Sequence, residues 1–390
     1  MFNKHFDLDR LPLAALKVSL ALSLLALINY GMALPALVAS LGGTVLVVGS
    51  VLSLAAFFRA VSRVFAGFLR DRLGDRPVLF LAAAMRGLAF ALLAFSQDVG
   101  QVALAAVLFS SSQGFESIAL LSFTASQTVG SSAASTFFGL VLTIRMLPST
   151  LSSVFTGFIA ETFGVKSVFT AGMLLSVVVL AALSRVKVRS SELSSKREDM
   201  GSVLKFEYVI LWLSTFFLFM AVTSFVPLLT LWVTRELGYD LAILGLVLFP
   251  QSLVALFSRV YSGYIADRLG SLKSLILVGL VRFAAFFLIP YASTPLLLAA
   301  LVALRGSLMA GPPRNAYIAS LFDRKSYGKA YGAVGVAQDM GGIVGPLASS
   351  LIAEVWGFKA AFHFMALCVA IYASLLLLLL KENKPTGLVR

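Results

Sequence analysis

Long apolar runs, each about as long as a lipid bilayer is thick, recur from Leu11 to Lys381 and constrain this chain more than any other feature. A helix that crosses the hydrocarbon core needs roughly 20 mostly apolar residues. Hydrophobic residues make up 59% of the chain and charged residues 13%, which is more apolar surface than a soluble domain of this size buries. We therefore predict an all-α membrane protein with twelve transmembrane helices, at residues 12–39, 44–69, 77–96, 101–127, 132–160, 165–184, 206–233, 241–266, 273–292, 295–321, 326–356 and 358–380.

The first apolar run is a full span without a small-residue cleavage site, so we expect it to remain as helix 1. The single cysteine, Cys368, excludes an intramolecular disulfide and argues against a thiol-ligated metal site. No cofactor is expected.

The positive charges are distributed unevenly about the predicted spans. Of the 31 Lys and Arg residues, eight lie within spans and only three, Lys166, Arg235 and Lys359, lie in outside loops if the N-terminus is cytoplasmic. The remaining 20 lie in inside segments, as the positive-inside rule requires. We predict a multi-pass plasma-membrane protein with both termini cytoplasmic. The net charge of +13 then reflects topology, and no nucleic-acid partner is expected.

An internal repeat divides the chain into two halves. The segment from Ser62 to Gly74 matches the segment from Ser258 to Gly270 at an offset of 196, and the same offset relates Arg86 to Arg282. After a three-residue deletion the offset becomes 193 and relates Phe169 to Phe362. We predict two pseudosymmetric six-helix bundles, at residues 1–184 and 206–390, joined by a polar cytoplasmic linker at 185–205.

The loop after the second span carries a family signature. It has a glycine followed by aspartate, arginine and glycine at Gly67, Asp71, Arg72 and Gly74, and the signature recurs as Gly263, Asp267, Arg268 and Gly270. In these motifs, and in its two-fold repeat, the chain resembles the major facilitator superfamily of secondary carriers over essentially its whole length. The resemblance implies a loop that acts as a latch, tightening the cytoplasmic side when the carrier opens outward.

The residue types explain such a latch. Gly67 and Gly263 let helices approach closely, and Gly74 and Gly270 permit a turn. The carboxylates of Asp71 and Asp267 accept hydrogen bonds from exposed backbone donors or pair with a neighbouring arginine. Arg70, Asp75 and Ser271 depart from the family pattern.

Part of the chain resembles the drug/proton antiporters of the superfamily. Their helix-5 glycine-proline motif is reduced to Leu147-Pro148, but helix 11 contains a glycine-rich face and Pro346. The arginine expected early in helix 4 is Phe109, whereas its repeat position holds Arg305.

Charged residues within spans are costly and face the interior of a bundle or a water-filled cavity. Arg63 with Arg259, and Arg86 with Arg282, occur in both halves, so we interpret them as architectural. The charges that break the symmetry are the functional candidates. Glu116 and Asp339 are candidates for proton coupling. Arg59, Arg145, Arg305 and Arg314, with the polar residues Asn29, Tyr30, Gln251 and Gln338, are candidates for lining a substrate cavity.

Two interpretations of the acids remain open. A carboxyl held away from water can load and release a proton as the cavity alternates between the two sides. Alternatively, each acid merely neutralises an arginine, as Glu116 would neutralise Arg145 across helices 4 and 5. The polar candidates also have a packing interpretation, as hydrogen-bonding contacts between helices.

The function predicted from these features is proton-coupled transport, as an export carrier for a small organic molecule working by alternating access. The partners expected are the substrate, protons and membrane lipids, and we expect a monomer because the path lies inside one chain. The excess of arginines over acids in the spans favours an anionic or polar substrate, so uptake of an organic anion or a sugar is the alternative. A membrane enzyme is not favoured, since the sequence shows no nucleophile–base pair and only two histidines. A channel is disfavoured by the six-plus-six repeat.

Overall fold

The computed structural model describes residues 13–128, 134–185, 206–322 and 327–382, and every regular element in these ranges is a helix. The predicted linker at 185–205 lies outside the described residues, apart from Arg185. The described residues form thirteen α-helices, in this order: α1 Leu13–Ser23, α2 Tyr30–Ser40, α3 Val45–Leu73, α4 Asp75–Phe95, α5 Val99–Thr128, α6 Ala134–Phe163, α7 Val165–Arg185, α8 Phe206–Arg235, α9 Leu241–Leu269, α10 Ser271–Leu288, α11 Pro295–Gly306, α12 Gly311–Leu321 and α13 Tyr327–Glu382.

Ten segments in the described part of the chain are long and apolar enough to cross a membrane. The longest of the ten, Ala330–Leu380, has 51 residues, more than twice what one crossing requires. Gly357 interrupts it with φ 85° and ψ 166°, a conformation that a residue with a Cβ rarely adopts. α6, with 30 residues, is not among the ten.

One predicted span, 295–321, is broken in its middle, which the prediction of a single helix did not anticipate. α11 ends at Gly306 and α12 begins at Gly311, with Pro312 and Pro313 in its first turn. Proline has no N–H, so it leaves the carbonyl four residues earlier without a helical partner. The Leu308 carbonyl instead accepts a hydrogen bond from Arg282 Nη2 at 3.3 Å. The Met309 N–H donates to Ser262 Oγ at 2.9 Å.

The first predicted span, 12–39, is also broken. A short 3₁₀ segment, Leu24–Leu27, follows α1, and α2 begins only after Asn29. The Asn29 side chain accepts a hydrogen bond from the Met32 N–H at 3.3 Å, and its own N–H donates to Thr156 Oγ1 at 2.9 Å. Asn29 therefore serves as a helix N-cap, a role for which asparagine is strongly preferred.

The helices cluster into two compact units. One comprises Met1–Leu41 and Leu54–Arg197, and the other Gly42–Ser53 and Glu198–Arg390. Each unit has an aromatic core at repeat-related positions. In the first, Phe90 packs against Phe169 with ring centroids 6.4 Å apart. In the second, Phe225 contacts Phe286 and Phe362 at 5.4 and 6.4 Å. The offsets of 196 and 193 thus join residues that occupy matching core positions.

Glycines at two places allow close helix approach. A Cβ at Gly341 would lie 2.9 Å from the Phe219 Cβ and 3.0 Å from the Met220 nitrogen, and one at Gly345 would lie 2.6 Å from the Met220 Cα. The glycine face of α13 predicted from the sequence therefore packs directly on the backbone of α8. The corresponding prediction for the loop glycines is wrong. A Cβ at Gly67 would meet nothing within 4 Å, and one at Gly263 only the Pro312 Cβ at 3.9 Å.

Candidate functional site

Glu116 lies at the centre of a three-helix charge cluster in the first unit. Its side chain, on α5, is 2% exposed. Carboxylate oxygen Oε2 lies 2.6 Å from Nη1 of Arg86 on α4, and Oε1 pairs with Nη2 of Arg145 on α6. Each oxygen of one buried carboxylate therefore has its own guanidinium partner, which leaves the cluster with a net positive charge.

The two arginines differ in their surroundings. The Arg86 side chain is 8% exposed, whereas that of Arg145 is 33% exposed. Arg86 is held further by a hydrogen bond from its Nε to Ser112 Oγ at 3.2 Å, and its guanidinium lies 5.5 Å from the centre of the Phe109 ring. Ser112 and Glu116 are one turn apart on α5, so one helix face binds Arg86 at two points. Arg86 is the fixed partner of Glu116, and Arg145 is the accessible one.

An aromatic pair adjoins the cluster. The rings of Tyr30, at the start of α2, and Phe109 stack with centroids 3.8 Å apart and an interplanar angle of 10°. The Tyr30 hydroxyl is buried and has no hydrogen-bond partner among the described residues. A buried hydroxyl of this kind normally has one. Arg59 lies within electrostatic reach of Tyr30.

The structure shows one contact considered from the sequence and adds another. Glu116 pairs with Arg145 across the fourth and fifth spans, which is the contact expected if the acid neutralises an arginine. Arg86 was set aside as architectural because it recurs as Arg282, but it binds Glu116 directly. The repeat itself held the missing signal, since the position related to Glu116 by the offset is Pro312. Only the first of the two arginines therefore has an acid at that place.

The candidates of the second unit form different contacts. Arg305 is buried and donates from Nε and Nη2 to Gln251 Oε1 at 3.2 and 2.7 Å. With the Gln338 amide oriented to place its oxygen towards Arg314, that oxygen accepts from Nη2 and Nη1 at 2.9 and 3.0 Å. Asp339, the second predicted proton site, is buried beside Gln338 on α13. Gln251 and Gln338 thus act as acceptors for arginine.

The latch residues have turn and ion-pair geometry. Gly74 and Gly270 have φ values of 82° and 87°, which confirms the predicted turns. Asp71 pairs with its neighbour Arg70, whose Nε donates to Oδ1 at 2.9 Å. In the second copy, the Arg268 guanidinium lies 4.8 Å from the centre of the Tyr264 ring. Among the two partners predicted for Asp71, a backbone donor or an arginine, this structure shows the arginine.

Within the described ranges, no group of three or more His, Cys, Asp or Glu residues is placed to hold a metal ion. The groups that the site offers are a carboxylate, several guanidinium groups and aromatic rings. All of them can contact a ligand, and the carboxylate can also take up and release a proton.

Comparison with known proteins identifies relatives along most of the chain. The family model of the Major Facilitator Superfamily matches residues 211–389. The chain is 25% identical over 337 residues to the multi-drug resistance efflux pump PmrA of Streptococcus pneumoniae serotype 4, covering 83% of each protein. It is 29% identical over 329 residues to the multidrug resistance protein MdtG of Escherichia coli O17:K52:H18, covering 80% of this chain and 79% of that protein.

Solved structures share the fold at lower sequence identity. A mutant of the nucleoside transporter NupG superposes with a TM-score of 0.79 at 13% identity, covering 96% of this chain and all of that one. The human organic anion transporter MFSD10 (TETRAN) gives a TM-score of 0.66 at 16% identity, covering 95% of this chain and 100% of that one. With the repeated loop signature and the apolar helices, these matches show that the chain is a multi-pass membrane protein similar to the transporters of the major facilitator superfamily.

Proposed function

We propose that this protein exports a small organic molecule in exchange for protons. The observation that carries the proposal is the buried carboxylate of Glu116, held between Arg86 and the more exposed Arg145. The names of PmrA and MdtG, a multi-drug resistance efflux pump and a multidrug resistance protein, support transport in the outward direction.

We infer the order of the proton steps from the different exposure of Arg86 and Arg145. Arg145 releases Oε1 of Glu116 when it turns towards a ligand or water, and a proton then takes its place on the carboxylate. Arg86 keeps its contact with Oε2, because Ser112 and Phe109 hold its guanidinium. When Arg145 returns, the proton leaves. One carboxylate thereby couples proton binding to the position of one arginine.

The architecture proposed for this cycle is the one predicted from the amino-acid sequence. Twelve spans form two six-helix bundles, at residues 1–184 and 206–390, joined by the cytoplasmic segment 185–205. Both termini lie in the cytoplasm and the protein is a plasma-membrane monomer, a topology that the distribution of Lys and Arg supports. The carrier exposes its substrate to the two sides of the membrane in turn, which is alternating access.

Uptake of an organic anion, a nucleoside or a sugar is the second candidate. Eight arginines lie within the predicted spans, and guanidinium groups favour anionic ligands. The names of MFSD10 and NupG, an organic anion transporter and a nucleoside transporter, are compatible with such substrates.

Proton movement in liposomes separates the candidates. The purified protein is reconstituted with the pH dye pyranine inside, and test compounds are added outside: organic anions, nucleosides, sugars and lipophilic cations. If the protein exchanges substrate for protons, protons leave the vesicle as substrate enters, and the internal pH rises. Proton release that depends on both protein and compound supports exchange. Proton entry together with substrate would instead identify a symporter and contradict export by exchange.

Asp339→Asn tests the second predicted proton site. Asp339 is buried on α13, and we expect its neutral variant to reduce gradient-driven transport by at least about tenfold, as loss of a proton-transfer group does. Glu236→Gln is the control, because it removes a carboxylate from an exposed position just after α8. Unchanged transport by the Asp339→Asn variant would restrict proton coupling to the first unit.

Asp71→Asn tests the latch. The variant removes the ion pair with Arg70 and the charge that the family resemblance assigns to closing the cytoplasmic side. We expect a shift towards inward-facing states. Single cysteines introduced at each mouth, in a background where Cys368 is replaced by alanine, report accessibility to a membrane-impermeant maleimide. Equal labelling of the parent and Asp71→Asn proteins at both mouths would contradict the latch.

A further inference from the structure

Three arginines of the second unit flank the break between α11 and α12. Arg305 lies at the end of α11, and Arg314 lies in the first turn of α12. Arg282, on α10, donates a hydrogen bond to the Leu308 carbonyl inside the break. We call these three residues the arginine triad.

The protein groups that contact the triad are mostly neutral. Arg305 donates to Gln251 and lies 3.9 Å from the centre of the Phe225 ring. Arg314 donates to Gln338, and Arg282 donates to the Leu308 carbonyl. Asp339 is the only acid that the sequence places far from both ends of a span in the second half. A single ionised Asp339 would still leave two positive charges uncompensated.

Two triad nitrogens are available for a further acceptor. The Nε atoms of Arg282 and Arg314 are buried, and neither has a hydrogen-bond partner among the described residues. A guanidinium presents its Nε–H and one terminal N–H in a fork that matches the two oxygens of a carboxylate or phosphate. Uncompensated charges in a membrane protein mark a substrate or ion pathway.

The broken span adds the positive end of a helix dipole. Between Gly306 and Gly311 the chain leaves the helix, and α12 starts again beside Arg282. The N-terminus of such a half-helix carries the positive end of its dipole, the arrangement by which interrupted membrane helices face anionic ligands. Arg314, in the first turn of α12, lies at that end.

We propose that the arginine triad binds the anionic group of an organic carboxylate or phosphate. This inference rests on the proposed transport function and names the chemistry of the substrate that the second unit binds. Arg282 and Arg314 hold the two oxygens of the anion through their Nε atoms. Arg305, fixed by Gln251 and Phe225, supplies positive potential without direct contact.

Thermal unfolding of the purified protein tests the triad. Benzoate, phenyl phosphate and the lipophilic cation tetraphenylphosphonium are titrated separately, since a ligand that binds the native state raises the apparent melting temperature. We expect benzoate or phenyl phosphate to stabilise the protein in a saturable manner. Stabilisation by the cation and by neither anion would overturn the proposal.

Substitutions in the arginine triad test whether the anion binds there. Arg314→Gln removes a triad charge at a position less tightly enclosed than Arg305, and Lys359→Gln removes the same charge at an exposed site. We expect Arg314→Gln to raise the anion dissociation constant by at least about tenfold, as expected for loss of a charged hydrogen-bond partner. Lys359→Gln should leave the constant unchanged. Equal affinity in wild type, Arg314→Gln and Arg282→Gln would overturn the triad. Arg282→Lys keeps the charge but not the fork, and is expected to recover only part of the affinity.

The outcome is independent of proton coupling. Binding is measured at equilibrium and without a pH gradient, so the affinity of the wild-type protein and of the arginine variants does not require proton-coupled flux. Anion binding without any proton-coupled flux would contradict the proposed function and leave the triad standing. Proton-coupled flux of cations without anion binding would support the proposed function and contradict anion binding at the triad.

Discussion

Glu116→Gln is expected to lower pH-gradient-driven export by at least about 100-fold, because an amide cannot take up and release the proton that the carboxylate transfers. The substitution preserves the size of the side chain and one acceptor oxygen. It also leaves Arg86 and Arg145 without a negative partner, and breaking a buried ion pair costs about 3–5 kcal/mol. We therefore expect lower thermal stability as well as loss of transport.

Two companion variants separate these effects. Glu161→Gln removes a carboxylate from an exposed position on α6 and should retain wild-type transport and stability. The double variant Glu116→Gln/Arg145→Gln removes one charge of each sign, so it should recover part of the stability without recovering transport. Export at the wild-type rate by the folded Glu116→Gln protein would show that Glu116 is only the structural counter-ion of two arginines.

Gly345→Ala is expected to destabilise the protein by about 2–3 kcal/mol, the cost of forcing an extra methyl group into a packed interface. The added Cβ would lie 2.6 Å from the Cα of Met220 and 2.8 Å from its carbonyl carbon. These are backbone atoms of α8, so no rotation of a side chain can relieve the overlap and the two helices must separate.

Gly335→Ala is the matched control on the same helix. Its Cβ would meet nothing within 4 Å, and alanine is favoured over glycine in a helix by about 1 kcal/mol. Thermal unfolding followed by tryptophan fluorescence measures both variants, since Trp212 of α8 donates a 2.8 Å hydrogen bond to the Ala333 carbonyl of α13. Equal melting temperatures for the Gly335→Ala and Gly345→Ala proteins would contradict close packing at Gly345.

The helical class and the approximate bounds of the spans could be predicted because lipid imposes length and apolarity directly on the sequence. The segment predicted at 165–184 is α7, Val165–Arg185, and the segment predicted at 241–266 is most of α9. Breaks within spans were harder to predict. Hydropathy averages over many residues, whereas the break after Gly306 depends on two adjacent prolines and on side chains of α9 and α10 that satisfy the exposed backbone.

The site residues that could be predicted from the sequence are those that differ between the two halves of the repeat. Glu116 and Arg145 have no charged counterpart in the other half, and the structure places them in contact. Arg86 was missed for the opposite reason, since its recurrence as Arg282 indicated a shared packing role. Asn29 was predicted as a cavity residue, but the structure uses its side chain as a helix cap. Local backbone geometry decides that role, and it is not visible in composition or spacing.

The interruption between α11 and α12 changes the mechanics of that span. A continuous helix resists bending along its whole length, because each turn is braced by backbone hydrogen bonds. Here the Leu308 carbonyl and the Met309 N–H instead bond to the side chains of Arg282 and Ser262, which belong to neighbouring helices. Bending is therefore concentrated in four residues, and α12 can tilt by exchanging two hydrogen bonds while α11 stays intact. The repeated arginine position thus has two different roles. Arg282 holds the break in the second unit by a hydrogen bond, and Arg86 pairs with Glu116 in the first unit.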